Sequence, residues 1–199
     1  MYHILKGMWG NKGDHDGEFR RPQGISIDSK GNIYVADCDN HRIQKFNSRR
    51  EFLHKWGQYG SGNGQFNQPI AIAIDSNDYV YVTERYNTRV QKFDLNGNFI
   101  KVIGFGTGSD YLYGTQGIAV ESDDDIVVLN GHRISKYSSN GNFIRSWDHL
   151  VLVTVSFKHL KVLQLIPMMI YMLQTEAFIV YKSLILKVIL LENGDNGLN

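Results

Sequence analysis

The chain has 199 residues, 42% of them hydrophobic, and a formal net charge of +1. That length suits one domain of ordinary size with a core, and the balanced charge supplies no global field to draw in DNA or an anionic membrane. The single cysteine, Cys38, excludes an internal disulfide and a cysteine-based metal cluster. Residues 1–10 lack the apolar run of a signal peptide, so a cytoplasmic setting is the default expectation.

Trp9-Gly10 stands 47 residues before Trp56-Gly57. Residues 1–16 are therefore expected to hold the last strand of a preceding unit and a linker. A first full repeat is expected over 17–63. It shows four runs of alternating apolar and polar residues: Ile25-Ser26-Ile27, Ile33-Tyr34-Val35, Arg42 to Phe46 and Phe52 to Trp56. Alternation at period two marks strands. The links between them, Asp28-Ser29-Lys30-Gly31-Asn32 and Asp37-Cys38-Asp39-Asn40, are rich in residues that tolerate positive φ and bond their own backbone.

The pattern returns over 64–110, with Asp94-Leu95-Asn96-Gly97-Asn98 as its turn, and more loosely over 111–147. Arg42, Arg89 and Arg133 occupy one repeat position at spacings of 47 and 44. Four strands joined by hairpins make one antiparallel sheet, and such sheets stacked radially are propeller blades. The expected fold class is all-β, a partial β-propeller of four-stranded antiparallel blades followed by an irregular or non-native apolar tail.

Three segments carry a resemblance to the NHL-repeat family: Pro22-Gln23-Gly24-Ile25, Ile33-Tyr34-Val35-Ala36-Asp37, and Asn40-His41-Arg42-Ile43-Gln44-Lys45-Phe46. The second copy repeats them with Thr83-Glu84 and Thr88 replacing Ala-Asp and His, and the third keeps Gly117-Ile118-Ala119-Val120 and His132-Arg133-Ile134. The resemblance implies a ring of about six blades. It also implies a binding scaffold for a protein or small ligand, without catalysis, cofactor or metal. Single-stranded RNA binding, a lyase- or lactonase-like activity and the substrate-recognition part of a ubiquitin-ligase-type protein are the alternatives it leaves open. Ligase activity within this chain is not expected, because the RING or B-box cysteines are missing.

Asp37, Asn40 and Arg42 recur as Glu84, Asn87 and Arg89, with Arg133 in the third copy. Recurrence in every repeat favours a structural brace, since a functional site needs a unique constellation. Asp123-Asp124-Asp125 falls where the other copies turn, and Ile126-Val127-Val128 follows instead of the later Glu of a calcium loop, so a solvated turn is expected. His41 and His132 are expected on strand surfaces. Arg20, Arg21, Arg49 and Arg50, with Phe19, Phe52 and Tyr59 nearby, are the candidate contacts to a ligand or to RNA.

After Trp147 the pattern stops. From Leu150 to Leu191, 24 of 42 residues are Leu, Ile, Val or Met. The longest stretch there without charge or His, from Val162 to Thr175, has 14 residues, short of the roughly 18 that suggest a membrane span. The genetic code offers a sharper reading. Joining the last base of each codon to the first two of the next, suitable codons from Leu165 to Leu184 spell Asp-Ser-Asn-Asp-Asp-Leu-Tyr-Val-Ala-Asp-Arg-Ser-Ile-His-Arg-Ile-Gln-Lys-Phe. The same displacement permits Gly-Ser-Gly-Asp-Gly-Gln-Phe before that stretch and Ser-Glu-Gly-Asn-Phe-Ile-Gly-Lys-Trp-Gly after it. Residues 148–199 are accordingly expected to be a fourth repeat read in a shifted frame, one base having been lost after the Trp147 codon.

Overall fold

A computed structural model describes residues 9–104, 112, 114–131 and 133–148. The expectations for residues 1–8 and for 149–199, and the placement of His132, lie outside the described residues. Three four-stranded antiparallel sheets follow one another along the chain. Blade 1 comprises β3 (Pro22–Ile27), β4 (Ile33–Asp37), β5 (Arg42–Phe46) and β6 (Phe52–Trp56). Blade 2 comprises β7 (Pro69–Ile74), β8 (Val80–Glu84), β9 (Val90–Phe93) and β10 (Phe99–Ile103). Blade 3 comprises β11 (Thr115–Val120), β12 (Ile126–Asn130), β13 (Arg133–Tyr137) and β14 (Phe143–Asp148). Ahead of them, β1 (Asn11–Lys12) and β2 (Glu18–Phe19) form a small parallel ladder.

Each blade is a meander, its strands paired in chain order. The first strands β3, β7 and β11 adjoin one another in turn, so the sheets fan from a common inner edge. Gly24 makes this approach possible: a Cβ there would stand 2.8 Å from the Ala71 Cα. Among the described residues no helix is long and apolar enough to cross a membrane.

The core lies between blades, as alternation requires. Tyr34, Ala36 and Ile43 of blade 1 pack against Phe66, Ile72, Val80, Val82 and Phe93. The same register places Tyr81 and Val90 of blade 2 against Leu112, Ile118, Ile126, Val128 and Tyr137. Blade 1 presents its other face away from blade 2. There Ile25 and Ile27 are 63% and 61% exposed, while Trp9 meets Phe46 edge to face with ring centroids 4.6 Å apart.

The tight turns follow from single acids. Asp28 is buried, and its carboxylate accepts from the Lys30 and Asn32 amides, the Asn32 side chain and the Tyr34 hydroxyl. Asp75 does the same with Asn77, Tyr79 and Tyr81. Burial alone would raise the Asp28 carboxyl pKa, yet these donors hold it below the usual range. The Tyr34 hydroxyl is pushed up, by burial first and by its bond to Asp28 second.

Candidate functional site

Antiparallel pairing gives each blade two ends. At the front, the first strand begins, the second and third strands connect, and the chain crosses from blade to blade. At the back lie the two tight turns.

The front is built by a brace. Asp37 has no exposed surface, and its carboxylate accepts from the Arg20 amide (2.7 Å), Asn40 Nδ2 (2.8 Å), Arg42 Nε (2.8 Å) and Gln44 Nε2 (3.0 Å). The remaining donors of these side chains reach the preceding loop. Arg42 bonds the carbonyls of Asp14, His15 and Glu18, Asn40 that of Gly13, and Gln44 that of Glu18. In blade 2 Glu84 takes the place of Asp37, receiving Arg89 Nε at 2.6 Å and also Asn87 and Gln91. Arg89 then binds the carbonyls of Ser61, Gly62 and Gln65. Each brace thus ties a blade to the loop that delivers the chain to it. In blade 3 a neutral amide, Asn130, replaces the acid and donates to the Ser135 hydroxyl at 2.9 Å, and Arg133 stands beside it on β13. Gln44 and Gln91 belong to the brace although they were not singled out from the sequence; their shared repeat position was the available signal.

Exposed side chains gather on this front. Arg20 pairs with Asp14 at 3.3 Å, and Arg21 with Asp39 at 2.8 Å. Arg21 also lies 3.3 Å from the buried Cys38 sulfur. That contact raises the Arg21 pKa, while burial pushes the Cys38 thiol up. Lys12, Phe19, Arg20, Arg21 and Asp39 border an open cleft of about 530 Å³.

His41 is not on a strand surface. It closes the short 3-10 turn Cys38–Asn40 at φ 54°, accepts the Gln68 amide from blade 2 at 3.1 Å, and meets the Tyr59 ring at 5.0 Å. Gln68 reaches back to Asp39 at 3.1 Å. Tyr59 and Tyr86 are 68% and 61% exposed, and Arg85 is exposed between the two blades' loops.

Arg21 and Gln68 hold φ of 50° and 57° just before the prolines of β3 and β7, where blade 3 has Gly114 at 62°. A side chain at such a φ costs roughly 1 kcal/mol or more. The two blades therefore keep a side chain where glycine would be easier.

Arg49 and Arg50 are at the back, in the turn between β5 and β6, with Arg49 paired to Glu51 at 3.1 Å. Strands of five residues, about 3.3 Å each, separate them from Arg20 and Arg21. The two arginine pairs do not share a surface. Among the described residues one group, the exposed Asp14 and His15 with the half-buried Glu18, places three potential ligand atoms within 4.8 Å of one another. Its equivalents in blade 2 are Ser61, Gly62 and Gln65, so the group does not recur.

Residues 19–46 and 66–93 match the NHL repeat model. Two of the three blades are NHL repeats. The NHL stretch resembles E3 ubiquitin-protein ligase TRIM71 of Bos taurus, 49% identical over 47 residues, which is 24% of this chain and 5% of that protein. The Xenopus tropicalis protein of the same name is 47% identical over 47 residues, 24% of this chain and 6% of its own length. B-box type zinc finger protein ncl-1 of Caenorhabditis elegans is 38% identical over 52 residues, 26% of this chain and 6% of that protein. Among solved structures, virginiamycin B lyase of Staphylococcus aureus superposes with a TM-score of 0.52 at 19% identity, over 64% of this chain and 41% of that one. The RRP9 WD40 repeats give 0.54 at 12% identity, over 64% and 38%. These two likenesses show that the NHL blades have the propeller fold, and nothing of chemistry.

Proposed function

We propose that this NHL-repeat chain is a binding module whose front end, from Arg20-Arg21 across His41 and Tyr59 to Arg85-Tyr86, recognises a polypeptide. The observation that carries this reading is the mixture of exposed tyrosines with ion-paired arginines. Arg20 and Arg21 are each matched by an acid, Asp14 and Asp39. A phosphate-reading surface would leave its cations free for the backbone of the nucleic acid. Tyrosine and arginine are instead the residues that dominate polypeptide interfaces. The similarity to proteins named E3 ubiquitin-protein ligase supports the same reading, since a ligase of that name acts on polypeptides.

The test is selection of peptides from a random display library on the folded chain, followed by Arg21→Ala, Tyr59→Ala, Tyr86→Ala and, at the back, Arg49→Ala. Binding is expected to fall at the three front positions and to survive Arg49→Ala. Peptides insensitive to the front substitutions overturn the proposal. So does tight, steeply salt-dependent binding of single-stranded RNA at this front.

A further inference from the structure

Two links run from each blade to the next at the back. In the first, Ser29 donates its amide (3.0 Å) and hydroxyl (2.6 Å) to the carboxylate of Asp78 in blade 2. Ser76 repeats this with Asp124 in blade 3, at 2.9 and 2.7 Å. In the second, Lys45 Nζ reaches the Leu95 carbonyl of blade 2 at 3.0 Å, and Lys92 Nζ the Ser139 carbonyl of blade 3 at 3.2 Å.

Blade 3 carries the same outgoing groups and uses neither for this purpose. Ser122 holds the position of Ser29 and Ser76, is exposed, and makes no hydrogen bond among the described residues. Lys136 holds the position of Lys45 and Lys92 and turns to its own blade, to Glu121 at 2.7 Å and Asp125 at 2.9 Å. Val127, Leu129 and Ile134 stand where Tyr34, Ala36 and Ile43 of blade 1 cover blade 2, and like them they are buried, so this side has the make-up of a sheet-to-sheet face although its Ser122 latch is unmade.

We infer that the outgoing side of blade 3 is the docking surface for a fourth blade of the same type, and that residues 150–196 are that blade's coding sequence read one base out of frame. The latch specifies what the fourth blade must hold. Three residues after the turn's leading acid, at the position of Asp78 and Asp124, there must be an aspartate to receive Ser122. In the displaced frame that position is spelled by the last base of Met168 and the first two of Met169. Methionine has one codon, ATG, so the triplet is GAT, aspartate, with no freedom of codon choice. The Ser–Asp link is visible only in the folded chain, and the displaced frame satisfies it where no other residue could be written.

Two measurements test the inference. The coding DNA from the Trp147 codon onward is expected to read Asp-Ser-Asn-Asp-Asp-Leu-Tyr in the displaced frame; a stop codon or different residues there overturn it. The second compares amide hydrogen exchange in the 199-residue chain and in the protein expressed from a gene with one extra base after the Trp147 codon. The Ser122 amide is expected to slow by about tenfold or more, toward the Ser29 and Ser76 amides of the same molecule. An unchanged Ser122 amide overturns the docking, whether the added sequence folds elsewhere or not at all.

Discussion

Asp78 sits at φ 64° and takes both donors of Ser29 from the preceding blade. Asp124 repeats the arrangement at φ 63° under Ser76. A left-handed turn residue is ordinarily a glycine, as Gly31 is at the same place in blade 1. Here the strain is tolerated because the side chain joins two sheets.

This relationship orders three substitutions. Asp78→Asn keeps an acceptor and is expected to cost least. Asp78→Gly loses both bonds but relieves the backbone. Asp78→Ala loses the bonds and keeps the strain, for about 1–3 kcal/mol. Urea midpoints should fall in that sequence; Ala matching Asn would mean the latch contributes nothing.

The brace gives a larger effect. Asp37 and Arg42 are both buried and bonded at 2.8 Å. Asp37→Ala leaves a buried guanidinium and several donors without their acceptor, a loss of about 3–5 kcal/mol. Because Arg42 also holds the carbonyls of Asp14, His15 and Glu18, the loop ahead of β2 should become the first site of proteolytic nicking. Equal protease resistance in the variant would sink this account.

Acid sensitivity follows from the turn carboxylates. Burial raises the Asp28 and Asp94 pKa values, but their turn donors outweigh it and leave both lowered. Asp124 is lowered chiefly by the Ser76 hydroxyl and amide. A carboxyl whose folded pKa is depressed stabilises the fold above its unfolded pKa, and that contribution is lost as pH falls through the folded value. The urea midpoint is therefore expected to be flat above about pH 5 and to drop below roughly pH 4. Asp94→Asn should shallow the drop, and a midpoint that rises on acidification would contradict the assignment.

The blades were legible in the sequence because strand alternation and turn chemistry are local. Ile33-Tyr34-Val35 and Asp94-Leu95-Asn96-Gly97-Asn98 announce themselves within a few residues. The recurrence of Asp37, Asn40 and Arg42 was legible too, but their partners were not. Carbonyls of Gly13, Asp14, His15 and Glu18 have no side-chain signature, and a bond across 24 to 28 residues appears only in space. Asp124 reads as a solvated turn residue for the same reason, its acceptor role depending on a serine 48 residues earlier. The arginine pairs Arg20-Arg21 and Arg49-Arg50 look alike in sequence, and only strand direction sends them to opposite ends.

Equivalent positions should respond unequally where neighbours differ. Ile25, Ile72 and Ile118 hold one place in the three inner strands. Their exposures are 63%, 6% and 2%, because Ile72 and Ile118 each receive the preceding blade while Ile25 receives none of the described residues. Ile72→Thr buries a hydroxyl in the sheet-to-sheet core and is expected to cost about 2–4 kcal/mol. Ile25→Thr should stay within about 0.5 kcal/mol of the parent. It should also reduce concentration-dependent association, since it removes apolar surface from the uncovered face. Thermal melting and light scattering on the two variants check both halves. Equal losses at the two positions would mean that Ile25 is covered in solution, and that the incoming face of blade 1 has a partner of its own.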